Sequence, residues 1–303
     1  MRILIFGAGA IGSLFGGLLS KYCDVTLLGR GEHIKAIKRR GLVIQGESEL
    51  HCYPKALSKT DRKFDFIILA VKSYHTLEAC KQLKKNLTKG SFVLSIQNGL
   101  NEEILVKELG KENVVRGITN HGVYRLGSGK IYHAGRGITV IGELDGVISD
   151  RVKKISKIFK SADIETKITK NIVRAVWLKT IINACINPLT ALTGLRNGAI
   201  LSDRLLRALA EEICKESIKV ANKFGNFKFY YSKVIKNVFE VVKATKNNKS
   251  SMLQDIESGK RTEIDFINGK IVETGKGVGI ETTLNSAIVE LVKGLESGAI
   301  CKQ

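Results

Sequence analysis

A glycine pattern lies between a short apolar strand and an amphipathic helix in the stretch MRILIFGAGAIGSLFGGLLSKYCDVTLLGR. Gly7, Gly9 and Gly12 form G-x-G-x-x-G directly after the run RILIF, and a second strand-like run, DVTLL, follows. A lone glycine pattern is weak evidence, but one set in a βαβ unit indicates dinucleotide binding. The alternative is a glycine-rich turn that binds nothing. We predict a Rossmann-type α/β domain from this stretch.

Each glycine has a separate task in such a loop. Gly7 permits the tight turn, Gly9 lets a pyrophosphate approach the backbone, and Gly12 lets the helix pack on the strand. The N–H groups and the dipole at the helix start favour an anion. We expect the whole loop to bind the cofactor: Gly7, Ala8, Gly9, Ala10, Ile11 and Gly12.

The end of the second strand distinguishes NAD from NADP. Sites that prefer NAD place an acidic residue there for the ribose 2′-hydroxyl group. Here the strand ends in LLGR, so the carboxylate is missing and Arg30 stands nearby. Arginine pairs with a phosphate through a bidentate fork, which favours NADP (NADPH) as the cofactor. The alternative is an exposed loop charge.

Two further strand-like runs end in polar residues. Lys72 follows DFIILAV (65–71), and Asn98 follows SFVLSI (91–96). Ligands of doubly wound sheets bind beyond the carboxyl ends of the strands. Lys72 is therefore a candidate for the cofactor or a substrate anion, and Asn98 for either ligand. Asn-Gly is also a turn signal in its own right, so a turn role for Asn98 stays open.

Bulk properties exclude several classes of protein. The net charge is +20, but the lysines are spread along solvated helical patterns such as RVKKISKIFK, so we expect no nucleic-acid partner. The six cysteines are scattered without a C-x-x-C pair, which predicts neither a metal site nor a disulfide framework. We find no signal peptide and no apolar run of about 18 residues, and expect a cytoplasmic protein without membrane contact.

The pattern changes in the second half of the chain. The run 114–143 is typical of β-structure with glycine-rich turns, and its histidines, His121 and His133, have no partners for a catalytic triad nearby. Helical periodicities then follow at 171–187, 199–223, 231–246, 262–275 and 283–297. We predict two domains, a cofactor-binding α/β domain at 1–166 and an all-α domain at 167–303.

A polar stripe runs along the apolar segment AVWLKTIINACINPLTALTG (175–194). Lys179, Asn183 and Asn187 are four residues apart, so they share one face of a helix that ends or is interrupted near Pro188. Buried polar groups need partners, so the stripe faces either a ligand or a purely structural hydrogen-bond network.

A second polar stretch is NNKSSMLQDIESGKRTEIDFINGKIV, 247 to 272. Ser250 and Ser251 stand where a helix would start, and Glu263 lies beside an apolar face. The structural alternative is helix capping by the serines and a solvent-facing salt bridge for Glu263.

These motifs together resemble the ketopantoate reductase family over nearly the whole chain. The resemblance rests on GAGAIG, AVKSY, SIQNGL, HAGRGITVIGE, WLKTIINACINPLTALTG and SSMLQDIESGKRTEIDFINGKIV. It implies a Rossmann domain followed by a helical domain like that of 6-phosphogluconate dehydrogenase, with the active site in a cleft between them. It also implies reduction of 2-dehydropantoate to (R)-pantoate with NADPH, on the pathway to pantothenate and coenzyme A.

The resemblance assigns roles to residues at matching positions. Lys179 would be the catalytic acid and Glu263 would assist it. The implied substrate-binding residues are Asn98, Asn183, Asn187, Asn248 and Ser251. Lys72 and Asn98 would lie where nicotinamide meets substrate, and Arg30 would take the 2′-phosphate.

Two rival functions remain. One is an NADP-dependent reductase of another branched 2-keto acid, because a methylene difference changes specificity by only about 1–3 kcal/mol. The other is a non-catalytic regulator that senses a dinucleotide or binds nucleic acid, which would need neither Lys179 nor Glu263. We expect a small-molecule 2-keto acid as the substrate, and a homodimer stays open.

Overall fold

The computed structural model describes residues 1–300, with side chains for residues 1–298, so Cys301 lies outside the described residues. The strands are β1 (Arg2–Phe6), β2 (Asp24–Leu28), β3 (Leu42–Gly46), β4 (Leu50–Cys52), β5 (Lys55–Leu57), β6 (Phe66–Leu69), β7 (Phe92–Ser95), β8 (Val114–Thr119), β9 (Gly122–Gly127), β10 (Lys130–Gly135), β11 (Thr139–Glu143) and β12 (Thr166–Ile168). The helices are α1 (Ala10–Leu19), α2 (Gly31–Arg40), α3 (Thr76–Leu83), α4 (Glu102–Leu109), α5 (Asp150–Ser161), α6 (Ile172–Thr193), α7 (Ala199–Ser202), α8 (Arg204–Gly225), α9 (Tyr231–Ala244), α10 (Ser251–Glu257), α11 (Asn268–Val278) and α12 (Thr283–Ile300).

The main sheet has the strand order β12-β11-β8-β7-β6-β1-β2-β5. Six neighbouring strands of this sheet, β8-β7-β6-β1-β2-β5, are parallel, and β11 runs antiparallel to β8. Counted in chain order, those six parallel strands have the order 3-2-1-4-5-6 of the dinucleotide-binding fold. The predicted Rossmann-type domain is therefore confirmed.

Alternation along the central strand divides the core of this domain into two layers. Ile3 and Ile5 face one side, where the apolar residues of α1 and α5 pack. Leu4 and Phe6 face the other side, against α3 and α4. A parallel strand with both faces covered is apolar at successive positions, which is why RILIF reads as a continuous apolar run.

A second sheet of four strands has the order β4-β3-β10-β9. Strands β8 to β11 account for the region 114–143, which confirms the predicted β-structure.

The second half is helical, as predicted, with three differences in detail. The segment 199–223 is two helices, because Asp203 caps the N-terminus of α8 through the N–H groups of Leu205 and Leu206. The segment 262–275 divides into a short 3-10 helix, Ile264–Phe266, and α11. The helix α6 neither ends nor breaks near Pro188 but continues to Thr193, so the expectation of an end or an interruption there is wrong.

The chain divides into two compact units. The first comprises Met1–Gln97 and Asn101–Val173, and the second comprises Asn98–Leu100 and Arg174–Gln303. The predicted boundary between residues 166 and 167 falls inside β12, which pairs with β11 in the sheet of the first unit. The boundary of the functional domains stays a prediction.

Helix α6 has the length and apolar composition of a membrane span. No other helix within residues 1–300 has both properties. In its most apolar 18-residue window 67% is buried inside the protein, which is also the behaviour of a core helix.

Candidate active site

The glycine loop connects β1 to α1 with a backbone that side chains would obstruct. Gly7 has a φ of +110°, and a Cβ at Gly12 would lie 2.0 Å from the carbonyl oxygen of Gly7. The N–H groups of Gly7 and Ala8 both donate to the carbonyl of Leu28, which fixes the loop on β2.

Gly9 leaves space where a dinucleotide would need it. It precedes α1 as an extended N-cap residue without a side-chain cap, and a Cβ built on it would meet nothing within 4 Å. The first N–H groups of α1, from Ala10 to Gly12, have no acceptor within the helix. No acidic residue lies in the first turn. This cradle fits a pyrophosphate, because open N–H groups and a helix dipole face an uncharged gap.

Arg30 stands at the N-cap of α2, shortly after β2. Its Nη2 atom lies 3.1 Å from Oε1 of Glu78 in α3, and its side chain is 75% exposed. The same carboxylate oxygen accepts from Nε2 of Gln82 at 2.7 Å. Arg30 is thus accessible to a phosphate, which would compete with the carboxylate of Glu78 for the guanidinium group. Nothing in the sequence pattern marks Glu78, because it is one of many helix-surface charges.

A buried network holds the loops after β6 and β7 together. The amide of Gln97 donates to the carbonyl of Val71 at 3.0 Å and to the hydroxyl of Thr76 at 2.9 Å. The hydroxyl of Thr76 also lies 3.0 Å from Oδ1 of Asn101. Lys72, half-buried, is the N-cap residue of a 3-10 helix in the first of these loops. The network therefore fixes the backbone from which Lys72 projects.

Arg116 anchors the same region from β8 and escapes sequence analysis. Its side chain is fully buried and donates to Glu102 (2.6 Å), to the carbonyl of Ser95 (2.9 Å) and to the carbonyl of Gln97 (2.9 Å). Fully buried arginines are rare unless paired. A single arginine in the run VVRGIT gives no signal that it turns inward.

The polar stripe of α6 lies as the helical spacing predicts. Lys179 and Asn183 are half-buried, and Asn187 is 7% exposed. Across the described residues, the side-chain amides of Asn183 and Asn187 take part in no hydrogen bond. A purely structural network would pair these amides with neighbouring helices. The geometry therefore favours the alternative, in which the two amides serve a ligand.

Glu263 is buried, with 5% exposure, and precedes the short 3-10 helix. Its Oε2 atom accepts a hydrogen bond from Nδ2 of Asn98 at 3.2 Å. The solvent-facing salt bridge that was the structural alternative is made by its neighbour Asp265, which pairs with Arg261 at 2.9 Å. Burial thus removes a surface role for Glu263.

The segment before α10 separates the two serines. Ser250 is the N-cap residue: its hydroxyl accepts from the N–H of Leu253 at 3.1 Å and lies 2.7 Å from the hydroxyl of Thr190 in α6. Ser251 is exposed. The side chain of Asn248 is exposed too, while its carbonyl accepts from the N–H of Asn197 at 3.0 Å. Capping therefore belongs to Ser250, and Ser251 is open to a ligand.

The two histidines of 114–143 form a buried structural pair. Nδ1 of His121 accepts from the N–H of Gly137 at 3.3 Å, so Nε2 of His133 donates to it at 2.9 Å. Burial, with the neighbouring His133, lowers the pKa of His121 to about 4. Among the described side chains, no group of three His, Cys, Asp or Glu residues is arranged to hold a metal ion.

The candidate residues divide between the two units. The glycine loop, Arg30 and Lys72 lie in the first unit. The second unit contains the remaining ones: Asn98, Lys179, Asn183, Asn187, Asn248, Ser251 and Glu263. Asn98 belongs to the second unit although β7 precedes it, because the N–H of Leu100 donates to the carbonyl of Phe266 at 3.0 Å.

Comparison with known proteins identifies the family of this chain. Residues 3–146 match the family model "Ketopantoate reductase PanE/ApbA", and residues 171–296 match its C-terminal counterpart. The 2-dehydropantoate 2-reductase of Pyrococcus horikoshii is 44% identical over 98% of both chains. The enzyme of that name from Archaeoglobus fulgidus is 36% identical, again over 98% of both.

Solved structures agree in fold over the full length. A PanE/ApbA family ketopantoate reductase from Ralstonia eutropha JMP134 has a TM-score of 0.91 at 29% identity, over 99% of both chains. D-mandelate dehydrogenase, in a ternary structure with NADH and anilino(oxo)acetate, has a TM-score of 0.93 at 26% identity, also over 99% of both. Both family models and the full-length relatives lead to one conclusion: this chain belongs to the ketopantoate reductase family.

Proposed function

We propose that this chain reduces 2-dehydropantoate to (R)-pantoate with NADPH, a step towards pantothenate and coenzyme A. The observation that carries the proposal is the polar stripe of α6, where Lys179 stands on one helix face with two asparagines whose amides have no partner in the described part of the chain. The relatives named 2-dehydropantoate 2-reductase, which align over nearly the whole chain, support the substrate.

The cofactor is held by the first unit. The N–H groups at the start of α1 bind the pyrophosphate, beside the open space at Gly9. Arg30 would take the 2′-phosphate, and Lys72 would bind the cofactor from the loop after β6. When bound, the reduced cofactor would supply a hydride for the keto carbon of the substrate.

Lys179 acts as the general acid. Negative charge develops on the keto oxygen as the C–H bond forms, and a cationic N–H donor beside that oxygen stabilises the charge. The ammonium group of Lys179 gives its proton to this oxygen, which becomes the hydroxyl group of the product. Solvent returns a proton to the lysine after the reaction.

The other polar residues orient the substrate. The amides of Asn183 and Asn187 bind its hydroxyl and carboxylate groups without adding charge. Asn248 and Ser251 donate further hydrogen bonds from the segment at the start of α10. Glu263, held by Asn98, binds near the developing hydroxyl group. Correct orientation accounts for much of the rate of such reactions, because the reacting atoms are already close.

The experiment that tests this function follows NADPH oxidation at 340 nm with 2-dehydropantoate, 2-ketoisovalerate and pyruvate, and repeats it with NADH. Fast oxidation with 2-dehydropantoate alone is the expected result. Oxidation with none of the three, despite tight NADPH binding, would contradict the proposal and favour a dinucleotide-sensing regulator.

A second candidate is reduction of a different branched 2-keto acid. It is favoured by the fold of D-mandelate dehydrogenase, whose ternary structure contains NADH and a ligand that is not a pantoate derivative. In the assay above, preference for another keto acid would select this candidate and leave the role of Lys179 intact.

The surroundings of the enzyme are part of the proposal. The relatives are enzymes named for small-molecule substrates. They support a soluble protein with a 2-keto acid substrate and without a nucleic-acid or membrane partner. We propose the cytoplasm as its location, and light scattering after size-exclusion chromatography distinguishes a monomer from a homodimer.

A further inference from the structure

Helix α6 lacks one hydrogen bond in the middle of the candidate site. Pro188 has no N–H group, so it makes no bond to the carbonyl of Ala184, the residue four positions earlier. Ala184 directly follows Asn183 and lies three residues before Asn187. The carbonyl that Pro188 leaves without a helical partner therefore belongs to a residue between Asn183 and Asn187 in sequence, and it is buried, because Ala184 has 0% exposure.

Asn268 supplies the missing donor. Its Nδ2 atom donates to the carbonyl oxygen of Ala184 at 3.3 Å and to Oδ1 of Asn285 at 3.0 Å. Asn285 donates in turn from Nδ2 to Oε2 of Glu216 at 2.7 Å. A carboxylate only accepts, so this contact fixes the orientation of the Asn285 amide, and with it that of Asn268. If the Asn268 amide were reversed, its oxygen would face two acceptors, the carbonyl oxygen of Ala184 and Oδ1 of Asn285.

This amide is costly to keep. Asn268 and Asn285 both have 0% exposure, and Oδ1 of Asn268 is buried without a hydrogen-bond partner in the described part of the protein. A buried acceptor without a donor destabilises the folded state. An apolar side chain would avoid that cost but would leave the carbonyl of Ala184 without a donor. The hydrogen bonds of Asn268 are thus better explained by the position in which they hold α6 than by a gain in the stability of the fold.

Asn268 also begins the helix that follows Glu263. The carbonyl of Glu263 accepts from the N–H of Ile267 at 3.1 Å, and α11 starts at the next residue. One side chain therefore connects the segment of Glu263 to the turn of α6 between Asn183 and Asn187. We propose that Asn268 is a positioning residue, which fixes the asparagines of α6 relative to Glu263 by replacing the hydrogen bond that Pro188 cannot make.

The test combines Asn268→Ala with Pro188→Ala and rests on the proposed function for its kinetic half. In wild-type background, Asn268→Ala should lower kcat at least about tenfold and raise the KM for the keto acid, since misplacements near 1 Å cost up to about a hundredfold. The Kd of NADPH, measured by fluorescence, should change less than about twofold. Pro188→Ala restores an N–H group for Ala184, so the kcat loss caused by Asn268→Ala should be at least about threefold smaller in that background.

Asn86→Ala is the matched control. Asn86 has 1% exposure, donates from Nδ2 to the carbonyls of Thr60 (3.0 Å) and Arg62 (2.8 Å), and also has a buried Oδ1 without a partner. Its substitution should lower Tm comparably and leave kcat and KM unchanged. If Asn268→Ala lowers Tm but likewise leaves kcat and KM unchanged, the positioning role is overturned.

Two further measurements keep the outcome clear. Should Asn268→Ala yield no folded protein, Asn268→Ser, which retains a hydroxyl donor, is measured in its place. Equal kcat losses in both Pro188 backgrounds would overturn the link through Ala184. The thermal stabilities of the four proteins in the cycle test that link without any turnover. A wild-type enzyme inactive on every keto acid, with a coupled stability cycle, would contradict only the proposed function.

Discussion

Nδ2 of Asn98 donates to Oε2 of Glu263 at 3.2 Å, a hydrogen bond that joins residues 165 positions apart in the chain. The loop of Asn98 docks closely on the segment after Glu263, because a Cβ at Gly99 would lie 2.3 Å from the carbonyl oxygen of Phe266. Gly99 also has a φ of +72°. The motif QNGL thus needs its glycine both for the turn and for this approach.

We predict that Asn98→Ala lowers kcat/KM for the keto acid about ten- to a hundredfold. Removing the amide withdraws a donor from a buried carboxylate, which costs about 1–3 kcal/mol. Steady-state kinetics at saturating NADPH measure the loss. Asn113→Ala removes a hydrogen bond to the carbonyl of Leu109, away from the candidate residues, and should leave kcat/KM unchanged. Equal kcat/KM for wild type and Asn98→Ala would show that the hydrogen bond from Asn98 to Glu263 does not contribute to the reaction.

The role of Lys179 gives a second prediction. Lys179→Ala should lower kcat at least about a hundredfold, the low end for loss of a general acid. The Kd of NADPH should stay within about twofold, because the dinucleotide loop lies in the other unit. Single-turnover kinetics and fluorescence titration measure the two quantities. Lys219→Ala, which removes an exposed lysine of α8, is the control for loss of charge. A kcat within tenfold of wild type would remove Lys179 from proton transfer.

Local signals in the sequence account for most of the fold. Strand, glycine turn and helix follow each other within GAGAIG, and the spacing of Lys179, Asn183 and Asn187 places them on one face without any knowledge of tertiary structure. The expectation that α6 ends or is interrupted near Pro188 is wrong for a tertiary reason. An interior proline removes a helical hydrogen bond and kinks or breaks the helix, and here Asn268, from a distant part of the chain, donates to the carbonyl that Pro188 leaves.

The same reason explains which parts of the candidate site the sequence conceals. Arg116 and Glu78 act through partners that are remote in sequence, Ser95 and Gln97 for the arginine and Arg30 for the glutamate. No periodicity identifies a charge that turns inward from a β-strand. Ser250 and Ser251 are neighbours with identical side chains, and the contacts of Ser250 with the N–H of Leu253 and the hydroxyl of Thr190 distinguish the capping serine from the open one.

We expect the cofactor preference to depend on competition between Glu78 and the 2′-phosphate for Arg30. Arg30→Ala should weaken NADPH binding more than NADH binding, because only NADPH has the 2′-phosphate. Glu78→Gln should strengthen NADPH binding a few-fold at low salt, since it removes a like charge beside the phosphate, and the gain should shrink as ionic strength rises. Fluorescence titration at two salt concentrations measures both. Equal weakening of both cofactors by Arg30→Ala would exclude the 2′-phosphate role.

Arg116 gives a prediction on stability. Arg116→Met should lower the free energy of unfolding by about 3–5 kcal/mol, because it leaves Glu102 and the carbonyls of Ser95, Gln97 and Gly117 without this donor. Urea denaturation followed by circular dichroism measures the change. Arg2→Met breaks an exposed ion pair with Asp65 and should cost less than about 1 kcal/mol. A loss of that small size for Arg116→Met would contradict the anchoring role.

The last prediction concerns acid stability and a buried histidine, His33, next to the glycine loop. The N–H of Gly129 donates to its Nδ1 atom at 3.0 Å, so its Nε2 atom carries the proton and donates to the hydroxyl of Ser13 in α1 at 3.0 Å. Burial, followed by the charge of Arg125, lowers the pKa of His33 to about 4 in the folded protein. The unfolded chain, with an ordinary histidine pKa near 6.5, binds the proton first.

Because the unfolded state binds more protons between these two pKa values, stability is full above about pH 6.5 and falls as the pH drops towards 4. His33 should account for up to about 3 kcal/mol of that fall. Urea denaturation at pH 7, 6, 5 and 4 should therefore give a shallower pH dependence for His33→Gln than for wild type. His75→Gln, which removes an exposed histidine, is the control. Parallel curves for wild type and His33→Gln would show that His33 does not contribute to acid lability.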